Sequence, residues 1–276
     1  MNLLKNIQAW RKRTRVVEHL DDVPFLEVTD LNVNLNEHAA LRGINFSLQE
    51  GEQVAVVGPN GAGKSTLFKV IAGVLHATAG EVRLSGHAPH GHICIAYLPQ
   101  RSVVDWSFPV TVRDVVMMGR VRKLGLFHWP KSSDWAQVHE CLHLVGMQDL
   151  SHRQIDELSG GQQQRMFIAQ ALAQEAELLL MDEPLGGLDL PSREEVLRIL
   201  DELRGHQVSV MVATHDLGMA SQRFDRVMLL NGRMIGFGKP DEVFTEDRLR
   251  SAYGDHLQMI ETENGLLILD DTCCDE

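Results

Sequence analysis

Gly58-Pro59-Asn60-Gly61-Ala62-Gly63-Lys64-Ser65 follows the strand-like run Gln53–Val57 and opens a helix-like stretch from Lys64 to Val74. The octapeptide fits G-x-x-x-x-G-K-[ST], a match that chance produces in about one chain of this length in a hundred. Glycines permit the tight turns that bring backbone N–H groups against phosphate oxygens. The helix that follows points its N-terminus at the same anion. Lys64 supplies a point charge for β and γ phosphates, and the Ser65 hydroxyl suits Mg²⁺. With Thr66, residues 58–66 are the candidate phosphate-binding set.

Outward from this loop, alternating apolar residues begin at Phe25, and Ile44–Leu48 reads as a strand. Leu178–Met181, Val208–Ala213 and Val227–Leu230 are short apolar runs bounded by polar or turn residues, as in buried parallel strands. Helical stretches, Gly161–Gln174 and Ser192–Leu203, separate several of them. Strands alternating with helices predict an α/β fold with a mainly parallel sheet. The segment from about Val103 to Glu157 lacks a strand pattern and holds helix-like stretches at Val112–Met118 and Trp135–Val145. It reads as an inserted helical subdomain.

Residues 1–22 read as a basic amphipathic extension, with Leu3, Leu4, Ile7 and Trp10 at roughly helical spacing among Lys5, Arg11, Lys12, Arg13 and Arg15. Such a helix suits a membrane surface, a partner or its own domain. Residues 256–276 read as a short strand followed by an acidic tail.

Leu178–Met181 leads straight into Asp182-Glu183, which places two carboxylates at the C-terminal end of a buried strand. Ligands of open α/β sheets bind at that edge. There Asp182 would help hold Mg²⁺ and Glu183 would act as general base on a water. His215, just past Val208–Ala213, also falls at a strand end, where an imidazole can bond a γ-phosphate and orient the attacking water.

Leu158-Ser159-Gly160-Gly161-Gln162 resembles the signature sequence of ABC ATPases, the nucleotide-binding subunits of ABC transporters. Gln100 resembles that family's Q-loop glutamine, which joins Ser65 and Asp182 around Mg²⁺. Leu178–Glu183 resembles its Walker B strand, Leu188-Asp189 its D-loop and His215 its switch histidine. The resemblance spans about Phe25 to Tyr253, and six motifs occur in order. It implies a P-loop NTPase (RecA-like) core, an antiparallel β subdomain and a nucleotide-binding domain over residues 23–255, with the helical insert at about 103–157. It also implies ATP hydrolysis with Glu183, His215 and Gln100 as catalytic residues. In that family Ser159, Gly160, Gly161, Gln162 and Asp189 face the ATP bound by a second copy.

Tyr97–Arg101 and Val104–Val112 are similar to the branch serving zinc, manganese and iron importers. The resemblance implies integral-membrane permease subunits as partners, a metal-binding solute-binding protein acting indirectly, and a peripheral place on the cytoplasmic face of the membrane. Trp106 and Phe108 are expected to dock the permease, while Met117 and Met118 fit docking and core packing equally. An ATPase importing another substrate, such as an iron chelate, and a soluble non-transport ABC ATPase stay open as alternatives. One departure concerns adenine. Leu35 stands where the family usually stacks an aromatic residue, so base contact is expected to be looser.

The composition agrees with a globular protein: 276 residues, 44% hydrophobic and 23% charged, are enough to bury roughly 70% of the chain's surface. A net charge of −12 gives no support for a general nucleic-acid binder. Four cysteines (Cys94, Cys141, Cys273, Cys274) form no CxxC pair and are expected reduced. No apolar run is long enough to span a bilayer. His87, His90 and His92 are expected to be polar loop rather than a transport site.

Overall fold

Every residue of Gln53–Val57 is buried, and this strand forms the middle of the structure. The computed structural model describes residues 23–35, 38–88, 95–100, 104–124, 129–205 and 208–254, together with the backbone of 257–262 and 265–270. The expected N-terminal helix, His90, His92, Cys94, Cys273, Cys274 and the acidic tail lie outside the described residues.

The first half of the chain forms β1 (Leu26–Leu35), β2 (His38–Leu48), β3 (Gln53–Val57), α1 (Lys64–Ile71), β4 (Ala79–Leu84), β5 (Ile95–Leu98), α2 (Val112–Met118), α3 (Val121–Leu124) and α4 (Ser132–Leu144). There follow α5 (Gly160–Ala173), β6 (Leu178–Asp182), α6 (Leu190–Arg204), β7 (Ser209–Thr214), α7 (Leu217–Arg223), β8 (Arg226–Leu230) and β9 (Met234–Gly238). The chain then forms α8 (Pro240–Val243), α9 (Glu246–Tyr253), β10 (Leu257–Thr262) and β11 (Gly265–Asp270). The six-stranded sheet has the order β5-β6-β7-β3-β8-β9. Its first five strands are parallel, and β9 closes the edge antiparallel to β8.

Strand parity divides the molecule into two cores. Ala55, Val57, Leu179, Met181, Val210, Val212, Val227 and Leu229 face one side, packed with Met166 and Ile168 of α5 and Val196 and Leu200 of α6. Val54, Val56, Leu178, Leu180, Met211, Ala213, Met228 and Leu230 face the other. There they meet Leu67, Phe68 and Ile71 of α1 and the antiparallel sheet β2-β1-β4. A strand buried on both faces has no polar alternation to show, hence its near-continuous apolar sequence. Each fully buried Leu, Val, Met or Phe contributes about 1.5–3 kcal/mol.

Among the described residues, 112–157 contain no strand of a sheet, and α2 and α4 pack on α5. Buried Arg120 bonds Asp134 of α4 at 3.2 Å and also pairs with Glu175, just past α5, as does Lys123. These ion pairs fasten the helical segment to the strand-bearing core.

The structure differs from the sequence expectation in several places. Helix α1 stops at Ile71 instead of continuing to Val74. Gly73, at φ +71°, turns left-handed, and Gly73 N and Val74 N donate back to Val70 O at 3.0 Å and Lys69 O at 2.8 Å. This is a Schellman stop, which satisfies the last helical carbonyls. Trp106 is half-buried, with its ring 5.5 Å from Phe167, so it packs the subdomain; Phe108 is exposed. The methionine pair divides, Met117 buried and Met118 exposed. Leu257–Thr262 and Gly265–Asp270 pair as two antiparallel strands, with Leu257 opposite Asp270 and Thr262 opposite Gly265, where one strand was expected.

Candidate nucleotide-binding site

The phosphate loop leaves the end of β3 and enters α1 through glycines that have physical work to do. A Cβ on Gly58 would run into the Leu230 carbonyl of β8. Gly63 has φ +96°, and a Cβ there would lie 2.6 Å from Leu41 Cδ2 and 2.9 Å from Ala40 O. Gly61 has φ +78° with open space around it, so it needs conformational freedom rather than room. Backbone bonds then hold the loop from outside: Gly232 N donates to Ala62 O at 2.9 Å, and Arg42 N donates to Gly232 O at 2.8 Å.

Lys64 is buried, and its ammonium donates to Gly58 O at 2.5 Å and Pro59 O at 3.2 Å. Burial lowers its pKa, against the opposing pull of the Glu183 and Asp182 charges. A concentrated positive charge thus sits beneath a loop of backbone donors. Ser65 and Thr66, half-buried, begin the helix behind it.

Strand β6, two places over from β3, brings the acids. Asp182 ends β6, is 6% exposed, and stands opposite Ala213 of β7. Tyr97 of β5 donates its hydroxyl to Asp182 Oδ2 at 3.3 Å. Burial first, then the Asp182 charge and this bond, push the Tyr97 phenol up to about 12. Glu183 continues the ladder by one bond, its N–H donating to Ala213 O at 3.0 Å, and then turns left-handed at φ +50°. A non-glycine residue there carries about 1–2 kcal/mol of strain, here spent on re-aiming the carboxylate. Glu183 Oε2 lies 3.0 Å from His215 Nδ1. A carboxylate only accepts, so the ring proton belongs on Nδ1. The Thr214 hydroxyl accepts from Asp216 N at 3.1 Å, and Asp216 caps α7 through Met219 N at 2.8 Å, which fixes the turn carrying His215.

Ser159 caps α5 in a reciprocal box: its Oγ accepts from Gln162 N at 3.4 Å, and Gln162 Oε1 accepts from Ser159 N at 3.0 Å. The cap uses an oxygen lone pair, which leaves the hydroxyl proton for a phosphate oxygen. Asp189 caps α6 through Ser192 N at 3.2 Å, and the bonds from the Ser192 hydroxyl and then its N–H hold the carboxyl below the usual range. The two capped N-termini meet where a Cβ on Gly161 would collide with Ser192.

The structure therefore brings Lys64, Asp182, Glu183 and His215 to one edge of the sheet. Gln100 is exposed two residues beyond β5, and Ser159, Gly160 and Gly161 form a second patch with Asp189. Leu35 is half-exposed at the end of β1, opposite His38. His87 sits in a tight turn against Leu84, and Cys141 is buried, its thiol pushed up to about 12 mainly by burial. Among the described residues no group of three or more His, Cys, Asp or Glu is placed to hold a metal ion, and no helix is long and apolar enough to cross a membrane. Sequence reasoning assigned no role to Tyr97, Ser192 or Gly232. Tyr97 lies three residues before Gln100, but nothing local reveals that its hydroxyl meets Asp182.

A phosphate loop, strand-end carboxylates with a paired histidine, and a separately capped signature helix together define an ATPase of the ABC class. The family described as ABC transporter matches residues 41–186. A manganese transport system ATP-binding protein of Halalkalibacterium halodurans is 41% identical over 89% of this chain and 98% of its own length. A zinc transport system ATP-binding protein of Treponema pallidum is 44% identical over 83% of this chain and 86% of its own. Among solved structures, an inward-facing metal-chelate type ABC transporter is similar, with TM-score 0.76 and 28% identity, covering 89% of this chain and 96% of that one. The chain belongs to the ABC transporter family.

Proposed function

We propose that this chain is the ATP-hydrolysing subunit of an importer for a divalent transition metal, zinc, manganese or iron. The observation that carries the hydrolytic part is the Glu183–His215 pair standing beside Lys64 and Asp182 at one sheet edge. The metal part rests on the kinship with manganese and zinc transport ATP-binding proteins.

In this reading residues 58–66 wrap the β and γ phosphates, with the buried Lys64 opposing their charge. Water attacks the γ-phosphorus while its proton passes to Glu183. The bond from the γ-phosphorus to the bridging oxygen breaks, and ADP leaves with that electron pair. His215, held through Nδ1 by Glu183, orients the water and the γ-phosphate. Ser65, Gln100 and Asp182 offer hydroxyl, amide and carboxylate oxygens, the hard donor set that fits Mg²⁺. Mg²⁺ held there would neutralise charge on the phosphate oxygens.

One chain has one phosphate loop and one signature. Ser159 is exposed, and Leu190 beside Asp189 is 74% exposed. These features support a second copy facing this one, with Ser159, Gly160, Gly161, Gln162 and Asp189 completing the partner's ATP site. Exposed Phe108 and Met118 support docking of permease subunits at the cytoplasmic membrane face.

The test is affinity purification of the tagged chain from detergent-solubilised membranes, followed by ATPase and metal-uptake assays. Expected are a multi-span permease lacking its own ATPase domain and uptake that fails with Glu183→Gln. Recovery of soluble partners alone, from well-extracted membranes, overturns the transport reading.

A further inference from the structure

Two groups around the proposed cation come from separate strands. Asp182 ends β6, and Gln100 follows β5 by two residues. The strands run parallel with Tyr97 opposite Leu180 and Leu98 opposite Met181. Side chains two residues apart share a sheet face, so Tyr97, Leu180 and Asp182 point to the same side. A phenol is long enough to reach past Leu180 to the carboxylate beyond it, and the Tyr97 hydroxyl lies 3.3 Å from Asp182 Oδ2.

The ring has its own anchor. It is half-buried against the core that contains Leu178, Leu180 and Ile95. Its hydroxyl is therefore delivered by packing rather than by a flexible chain. Donation to Oδ2 fixes the rotation of the Asp182 carboxyl group and leaves Oδ1 as the oxygen to serve another partner. Outer groups that orient a ligand in this way often set metal affinity without touching the metal.

We propose that Tyr97 is a positioning residue of the cation site, its hydroxyl setting the Asp182 carboxylate and tying the strand that leads into Gln100 to the strand that carries Asp182. This rests on the reading of Asp182 as a Mg²⁺ ligand. Tyr97 acts through Asp182 and contacts neither water nor phosphate in the reaction.

Tyr97→Phe keeps the ring and its packing and removes only the oxygen. The decisive measurement is Mn²⁺ binding followed by electron paramagnetic resonance in the presence of a non-hydrolysable ATP analogue. The Mn²⁺ dissociation constant is expected to rise about tenfold, the low end for loss of an orienting partner, because the 3.3 Å bond is long. Affinity for the analogue in EDTA is expected to stay unchanged. The Mg²⁺ concentration giving half-maximal hydrolysis rises in parallel, while kcat at saturating Mg²⁺ stays within about twofold.

An unchanged Mn²⁺ constant overturns the proposal. So does an equal loss of analogue affinity in EDTA, which would mark Tyr97 as packing alone. Wild-type protein that binds analogue but no Mn²⁺ overturns both the proposal and the metal assignment beneath it.

Discussion

His215 Nδ1 lies 3.0 Å from Glu183 Oε2, across 32 residues of chain, because β6 and β7 are neighbours in the sheet and both side chains leave their C-terminal ends. The pair acts as a unit. Glu183→Gln is expected to retain nucleotide binding while turnover falls by about 10²–10⁴-fold. His215→Ala lowers turnover as well, and the double variant loses much less than the product of the two effects. Single-turnover ATPase assays on the three variants check this. Near-normal hydrolysis in Glu183→Gln would remove the assigned base.

Lys64 yields a prediction in which stability and function part company. Its pKa is lowered because burial disfavours the charge more than Glu183 and Asp182 favour it. The unfolded chain therefore holds this proton more tightly than the folded one. The resulting penalty on folding is fully present below the folded pKa. It is relieved as pH rises through that value towards the ordinary lysine value of 10.5. Lys64→Met is expected to lose nucleotide binding yet melt no lower than the parent without nucleotide. The difference in melting temperature should shift in the parent's favour at alkaline pH. Thermal melts across a pH series, with nucleotide titrations, test both parts.

The contact between the signature helix and the helix after Asp189 is steric. A Cβ at Gly161 collides with Ser192, so Gly161→Ala must push α5 and α6 apart. Such overpacking costs about 1–3 kcal/mol. Hydrolysis should fall with it, since Ser159 and Asp189 cap the two displaced helices. Ser192→Gly in the same chain removes the colliding atoms and is expected to restore much of both. Denaturation curves and ATPase rates of the single and double variants decide it, and failure of the second change to rescue either counts against this contact.

The exposed face of the helical segment should separate docking from folding. Phe108→Ala is expected to leave the melting temperature nearly unchanged while reducing recovery of permease on affinity purification. Trp106→Ala should lower stability by about 1–3 kcal/mol through loss of the Phe167 contact and partial burial. Equal effects of the two variants on stability would remove the distinction.

The sequence alone determined what contiguous residues determine. Strand-like Gln53–Val57, the glycine-rich loop and the following helix are legible because backbone conformation and phosphate binding are local there. Apolar runs also revealed the buried strands. The α/β class with a mainly parallel sheet followed from these elements.

Only the tertiary structure decided which strand lies beside which. The order β5-β6-β7-β3-β8-β9 is fixed by the fit of two cores on opposite faces of one sheet, which no local pattern encodes. That order brings His215 to Glu183 and carries Tyr97 to Asp182 across 85 residues. It also settles Met117 as core and Met118 as surface, which helical spacing left equal. Residue types reveal what chemistry a chain can do, but long-range packing decides which groups meet to do it.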